Sequence, residues 1–290
     1  MERQWAGTTY GSGWMHRQII RLLRHIDVRV FYLFADLFVV PVVLLVNPVR
    51  GVSYRYFRIH HGYGRLESVW KTYVNHCRFA GVVIDRFAMY AGREFRVVVP
   101  EEHLFDNLSA KQGGFVMLSS HIGNYEIAGY TLKSDRKSIN AVVYEFEKES
   151  VMANRETMFG KTNVNMVALK EDMSHLFEIS SILNNGDIVS FPTDRTMGGR
   201  VIECDFLGGR AEFPLGPFSV ATMNGLDVLA VNVMKTGLRE YTIHLRMLEY
   251  DRNAGRKSQV AQLSRAYVEE LEARVRQYPT QWYNFFEFWK

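Results

Sequence analysis

Cysteine is scarce in this chain and forms no pattern. Cys77 and Cys204 are the only two among 290 residues, far apart and in neither a CxxC nor a zinc-type spacing. That argues against a disulfide framework and for a reducing, cytosol-facing location. Also missing are the G-x-S-x-G nucleophile elbow, HExxH and the G-x-G-x-x-G dinucleotide fingerprint, which removes the common signals for those chemistries. The histidine pairs His60-His61 and His76-Cys77 are isolated and read as packing or surface residues. RETMFGKT (155–162) ends like a P-loop, but Arg155 stands where the first glycine is needed and a helical stretch precedes it. Phosphate cradling is not expected there.

Nothing in the sequence resembles a linker, a repeat or a low-complexity tract. Nor is there an uninterrupted run of the roughly 20 apolar residues that a bilayer-spanning helix needs. The longest candidate, VFYLFADLFVVPVVLLV (30–46), has seventeen residues and is broken by Asp36 and Pro41. An acid in hydrocarbon is costly. The run starts about thirty residues in, without a small-residue cleavage site after it, so it is no secretory signal.

What is present points to an ordered globular protein: 47% hydrophobic and 23% charged residues, against the low-apolar composition of disordered chains. Net charge is +4, unevenly spread. Residues 1–60 hold eight arginines (Arg3, Arg17, Arg21, Arg24, Arg29, Arg50, Arg55, Arg58) against Glu2, Asp27 and Asp36, a local +5. Such an end suits an anionic partner. No nucleic-acid motif accompanies the arginines. With basic residues on both sides, 30–46 reads as a helical hairpin or in-plane anchor, its apolar face in lipid and guanidinium groups at anionic headgroups. The alternative is a buried helix pair packed on the main domain.

Residues 1–92 read as helical. From Glu94 the texture changes to short β-branched runs bounded by turn residues. Candidate strands are FRVVV (95–99), FVMLSS (115–120), INAVVY (139–144), VNMVAL (164–169), IVSFP (188–192), VLAVNVM (228–234) and YTIHLRMLEY (241–250), with helices expected at 148–160, 171–186 and 257–277. This alternation predicts an α/β fold: a mostly parallel or mixed central sheet flanked by helices, with residues 1–92 as an N-terminal helical cap and 93–290 as the α/β part. Trp70, Tyr73, Phe79 and Phe87 each read as core in that cap.

In such sheets reacting groups collect beyond the carboxyl ends of strands. His121 follows FVMLSS directly, and Asp194 and Arg195 follow IVSFP in the same way. The segment SSHIGNYEIAG (119–129) places Glu126 five positions after His121. His244 and Glu249 share that spacing, so spacing alone proves nothing; His244 alternates with apolar residues in its strand and should face solvent. His121 has a different context. Gly123 permits a sharp turn, Asn124 is a good N-cap, and Glu126 falls in the first helical turn. Two readings stand. Glu126 complements the helix dipole, worth roughly 0.3–1 kcal/mol; or it orients the His121 imidazole and stabilises the imidazolium formed when His121 acts as a general base.

SHIGNYE resembles the H-x4-(D/E) block of the lysophospholipid acyltransferase superfamily, in its lipid A biosynthesis acyltransferase branch. GDIVSFPTDRTMGGRVIECDFLGGRAEFPLGPFSVATMNGLDVLAVNVMK (186–235) is similar to that branch's middle region, YPTQWYNFFEFWK to its closing P-x-Q-W-(Y/F) segment, and Trp5, Gly7 and Gly11 to its N-terminal W-x-G-x-x-x-G. The resemblance covers nearly the whole chain. It implies a glycerol-3-phosphate acyltransferase-like fold. It also implies acyl transfer from an acyl-carrier-protein or coenzyme A thioester to a hydroxyl of a lipid or glycolipid, with no metal or bound cofactor. The implied location is the cytoplasmic face of the inner membrane, held peripherally or by one N-terminal anchor.

Carried over by residue, His121 is the expected base and Glu126 its orienting acid. Asn124 and Gly123 would shape the turn, while Asp194 and Arg195 would help hold substrate or donor phosphate. Arg155, upstream of Gly160, stands for an arginine the branch keeps before a glycine. In FLGGRAEFPLGP, Phe206, Gly208, Ala211, Pro214, Gly216 and Pro217 fall where expected and would shape a loop beside an acyl tunnel. The oxyanion of transfer needs donors, for which backbone amides after His121 or the Arg195 guanidinium are the candidates. Each buried CH2 of the chain contributes about 0.8 kcal/mol, so slot depth can select its length. The ending NFFEFW lacks the basic residues common in lipid A enzymes, which leaves other glycolipid, aminolipid or pigment-type acceptors open. A hydrolase using the same pair and a non-catalytic lipid-binding protein are the competing readings.

Overall fold

The computed structural model describes residues 13–144, 163–169, 174–196 and 199–290. Trp5, Gly7, Gly11, Arg155, Gly160 and the expected helix 148–160 lie outside the described residues.

All seven expected strands form, and they join one sheet: β1 (Arg96–Val98), β2 (Phe115–Gly123), β3 (Ile139–Tyr144), β4 (Val164–Leu169), β5 (Ile188–Pro192), β8 (Val228–Gly237) and β9 (Glu240–Leu248). Their order is β1-β9-β8-β2-β5-β3-β4. The last five run parallel; β9 turns back antiparallel on β8, and β1 pairs parallel with β9. The fold is the mostly parallel α/β layer that strand–helix alternation predicts.

Both faces are covered, which is why the strands are nearly continuously apolar rather than alternating with polar residues. Val116 and Leu118 of β2 join one buried cluster, beside Phe218 of the helix Leu215–Met223 and Leu263 and Leu271 of the helix Arg256–Gln277. Phe115 and Met117 point the other way, to Phe105 and Leu108 of Glu102–Ala110 and Ile127 of Glu126–Thr131. The period of two decides which residue meets which layer.

One element was not foreseen. FLGGRAEFPLGP, read as a loop, is largely a two-stranded antiparallel hairpin, β6 (Val201–Phe206) and β7 (Gly209–Pro214). Leu207 and Gly208 turn it with φ of 50° and 76°, the positive pair of a two-residue hairpin turn.

The N-terminal helices are α1 (Gly13–Leu23), α2 (Val28–Val46), α3 (Arg50–Arg55) and α4 (Arg65–Tyr90). A π-helical turn at Ala35–Val39 lets α2 continue past Pro41. Trp70 and Phe79, expected in the core, are 60% and 38% exposed. The Trp70 ring meets Tyr73 of its own helix, Phe79 lies against Tyr283 and Phe285 of the C-terminal segment, and of the four aromatics named there only Phe87 is buried. Four groups lock this region to the sheet: Asp85 of α4 pairs with Lys235 of β8 and accepts from the hydroxyls of Tyr32 and Tyr241, while Lys235 donates to Tyr32 at 2.8 Å. Burial raises the Asp85 carboxyl and lowers the Lys235 ammonium, and each partner opposes the shift of the other.

Candidate active site

β2 and β5 are parallel neighbours, in register from Phe115↔Ile188 to Ser119↔Pro192. Proline has no N–H to give the ladder, and β5 ends there. One more bond, Thr193 N–H to the Ser119 carbonyl at 2.9 Å, carries the chain onward to Asp194. β2 runs longer than expected, to Gly123, with an irregularity against β8 between Ser119 and Gly123. His121 is therefore in the strand's last residues, not in a loop after it. Adjacent strand ends bring together two residues 73 positions apart in sequence.

The contact is direct. His121 Nδ1 lies 2.7 Å from Asp194 Oδ1, and the His121 backbone N–H donates to Asp194 Oδ2 at 2.9 Å. The indole N–H of Trp282 also donates to Oδ2, at 3.2 Å. Asp194 is buried, while the His121 side chain keeps 17% exposure. Among the described residues Nε2 of His121 takes no hydrogen bond. Burial pushes the Asp194 carboxyl up, but the His121 ring, the Arg195 guanidinium and the bonds it accepts outweigh this and bring it to about 2. The carboxylate is ionised. Burial lowers the His121 pKa, as does Arg195, against the opposing pull of Asp194. A neutral imidazole with its proton on Nδ1 and its lone pair on Nε2 is the form this favours.

Glu126 does not occupy the place expected of it. Its carboxylate meets the Arg86 guanidinium of α4 at 3.4 Å and accepts from Tyr90 at 3.5 Å. Among the described residues no hydrogen bond or ion pair joins it to His121. Glu126 opens the helix Glu126–Thr131, and its buried carboxylate is taken up by Arg86 and Tyr90 of α4. Gly123 has φ +59°, and a Cβ there would lie 1.7 Å from the Val233 carbonyl oxygen, so only glycine fits.

The other expected residues separate likewise. Asn124 donates its backbone N–H to Val233 at 3.0 Å. Its side chain is fully buried and caps no helix, so it is sealed from any substrate in this conformation. Arg195 is half-buried, donates to the Tyr283 carbonyl at 3.0 Å and lies over the Phe286 ring. Gly208 is in the β6–β7 turn, where its neighbour Leu207 contacts His60 and Glu272, not His121. Arg155 lies outside the described residues. His244, expected to face solvent, is half-buried beside Tyr278, and burial lowers its pKa.

Two residues at the site escaped sequence reasoning: Trp282 and Arg86. Arg86 had a legible signal in its place one turn before the end of an aromatic-rich helix, but its partner is 40 positions away. Trp282 had none beyond its motif.

A buried carboxylate and a half-buried imidazole at adjacent parallel strand ends are together chemically able to pass a proton. Residues 87–290 match the model of the bacterial lipid A biosynthesis acyltransferase family. The chain belongs to that family, and is an acyltransferase by membership. Comparison with curated proteins gives no match. Among solved structures it is similar to the 1-acyl-sn-glycerophosphate acyltransferase PlsC from Thermotoga maritima, at 16% identity and a TM-score of 0.39, over 93% of this chain and 100% of that one.

Proposed function

We propose that the protein transfers a fatty acyl chain from an acyl-carrier-protein or coenzyme A thioester to a hydroxyl of a lipid or glycolipid acceptor. His121 is the general base, and Asp194, rather than Glu126, is the acid that orients it. The observation that carries this is the 2.7 Å contact of Nδ1 with a buried carboxylate, which leaves Nε2 as the basic nitrogen. The acceptor O–H gives its proton to Nε2 as its oxygen attacks the thioester carbonyl. Collapse of the tetrahedral intermediate breaks the C–S bond, and the imidazolium returns the proton to the departing thiolate.

The oxyanion requires nearby donors. The backbone N–H groups of His121 and Asn124 are committed to Asp194 and Val233. Arg195, which follows Asp194 directly and whose guanidinium donates to the carbonyl of Tyr283 next to His121, is the side-chain candidate. Glu126 takes a supporting role: with Arg86 and Tyr90 it ties the helix after the catalytic turn to α4.

The acceptor is met at a membrane. α2 is long and apolar enough to cross one by length and composition, and only 17% of its apolar window is buried. Its flanks favour lying in the surface instead. Before it, Arg93 donates to the Leu23 carbonyl at 2.9 Å and Asp27 pairs with Arg239 of the β8–β9 turn at 2.8 Å. After it, Tyr56 donates to the Pro279 carbonyl at 2.9 Å and Arg55 pairs with Glu287. A crossing helix would put its ends on opposite sides of about 30 Å of hydrocarbon. Here both ends are fastened to one α/β layer. Leu33, Phe34, Leu37, Phe38, Leu45 and Val46 are the exposed side chains that would enter lipid.

The test is incubation of purified protein with radiolabelled acyl-carrier-protein and coenzyme A thioesters and total lipid extract, followed by mass spectrometry of the lipid products. Acylated lipid that disappears with His121→Ala supports the proposal. Release of free fatty acid alone, whichever acceptor is added, points to a hydrolase. Undiminished transfer by the variant removes His121 from the mechanism.

A further inference from the structure

The C-terminal strap converges on the site from three directions within two residues. Trp282 pairs with Ile122 in an isolated antiparallel bridge. The Tyr283 N–H donates to the His121 carbonyl at 3.3 Å, and the Tyr283 carbonyl accepts from Arg195 at 3.0 Å. From α4, Asn75 donates to the carbonyls of Thr280 and Trp282, both at 3.0 Å, holding the strap from behind. The Trp282 indole is 2% exposed and wedged among Tyr56, Phe206, Phe288 and Trp289. A buried indole N–H needs an acceptor. Here it is the catalytic carboxylate, not a carbonyl.

We infer that Trp282 is a positioning residue for acyl transfer: its N–H fixes the Asp194 carboxylate and draws charge from it, which sets the basicity of His121. The inference rests on the His121–Asp194 reading above and adds a third member. Asp194 Oδ2 is shared between the indole and the His121 backbone N–H, which orients the plane of the carboxylate and leaves Oδ1 for Nδ1. Without the indole bond, Oδ2 carries more negative charge and the carboxylate is free to turn. The more negative partner stabilises the imidazolium, so the His121 pKa rises. The other groups facing the ring and its acid are Arg195 beyond β5, Arg86 on α4, Tyr125 after the turn, Tyr267 on the helix Arg256–Gln277, and Tyr283, with Glu126 one step further out on Arg86. None of them changes with the indole N–H.

Removing the N–H without altering the shape isolates the effect. Trp282 is replaced by 3-benzothienylalanine, which keeps the bicyclic outline and loses the donor, and by phenylalanine in parallel. The His121 midpoint is read from 15N chemical shifts of histidine-labelled full-length protein, assigned with His121→Gln. The acid limb of kcat/KM for acyl transfer is read on the same samples. Expected is a rise of about 0.5–1 pH unit in both, consistent with loss of one hydrogen bond to a charged group, with activity near wild type well above the midpoint. Trp282→Phe, if it fails to fold, is replaced by the benzothienyl variant as the deciding sample. A folded benzothienyl variant with an unmoved His121 midpoint overturns the inference, even if its activity falls; because burial itself lowers that midpoint, a rise in Trp282→Phe alone, where packing is loosened, does not support it. Full activity in His121→Ala would instead strike the reading beneath it, and the ring-nitrogen titration keeps the two failures apart.

Discussion

The molecule holds two buried acid–base clusters, and they are built to opposite ends. At Asp85 and Lys235 every charge is answered: the ammonium meets the carboxylate and Tyr32, and the carboxylate accepts from two phenols as well. Both side chains are closed off, at 0% and 6% exposure. At His121 and Asp194 only one half is sealed. The acid is closed in and bonded at both oxygens, while the imidazole keeps partial exposure and, among the described residues, its second nitrogen takes no hydrogen bond. A closed cluster fixes α2 and α4 on the sheet; an open one can exchange a proton with something not yet bound. The lesson is that burial of the acid together with partial exposure of the base separates the two uses more directly than the mere presence of pKa shifts, which both clusters have although Asp85 moves up and Asp194 down.

Substitutions that cut each cluster should therefore fail in different ways. His121→Ala should reduce kcat by about 10²–10⁴-fold, the range of a lost general base, without changing the thermal midpoint appreciably. Asp194→Asn should cost about 10²–10⁴-fold, because an amide can hold the wrong tautomer of the ring. Steady-state transfer kinetics check both. Lys235→Met leaves Asp85 buried without its cation and should destabilise the fold by about 3–5 kcal/mol, read by denaturant unfolding. Any loss of activity there should follow loss of folded protein.

The pH dependence sharpens the contrast at smaller scale. A base must be neutral to accept a proton, and the folded pKa of His121 lies below its ordinary 6.5. The acid limb of kcat/KM should accordingly fall below pH 6.5, with activity rising as pH increases through it. A limb above pH 7 would mean that Asp194 outweighs burial and Arg195. The weakest effect concerns the membrane. Arg17, Arg21, Arg24, Arg29, Arg50, Arg55 and Arg58 are all exposed, so co-sedimentation with anionic vesicles should decline as salt is raised. Binding indifferent to salt and lipid charge would leave the apolar face of α2 as the whole anchor.

Much of the fold was legible in the sequence because β-branched runs between turn residues have few alternatives. All seven expected strands formed, and Gly186 follows the helix His175–Asn184 at φ +88°, as a C-terminal glycine should. The β6–β7 hairpin was hidden by its own chemistry: glycines and prolines that suggest a loop also make a tight turn and end a strand. Trp70 and Phe79 misled because an exposed aromatic, or one at the edge of a cluster as Phe79 is beside Tyr283 and Phe285, carries the same sequence signature as a core residue.

At the site, His121 was legible and so was the place of Asp194 after its strand, but their bond was not. It depends on β2 and β5 being neighbours in a given register, and no spacing along the chain encodes that. Local spacing suggested Glu126 instead, and the turn at Gly123 sends it to Arg86. Trp282 reaches the site only after the whole layer has formed.

The central claim is that Asp194 is the acid behind His121. Its most direct test is kcat/KM for Asp194→Asn and Glu126→Gln on one thioester and one acceptor, with folding verified in both. The account predicts that Asp194→Asn loses at least about tenfold more than Glu126→Gln, since only the former alters a group bonded to the base. The reverse order, with Glu126→Gln nearly inactive and Asp194→Asn close to wild type, would contradict it.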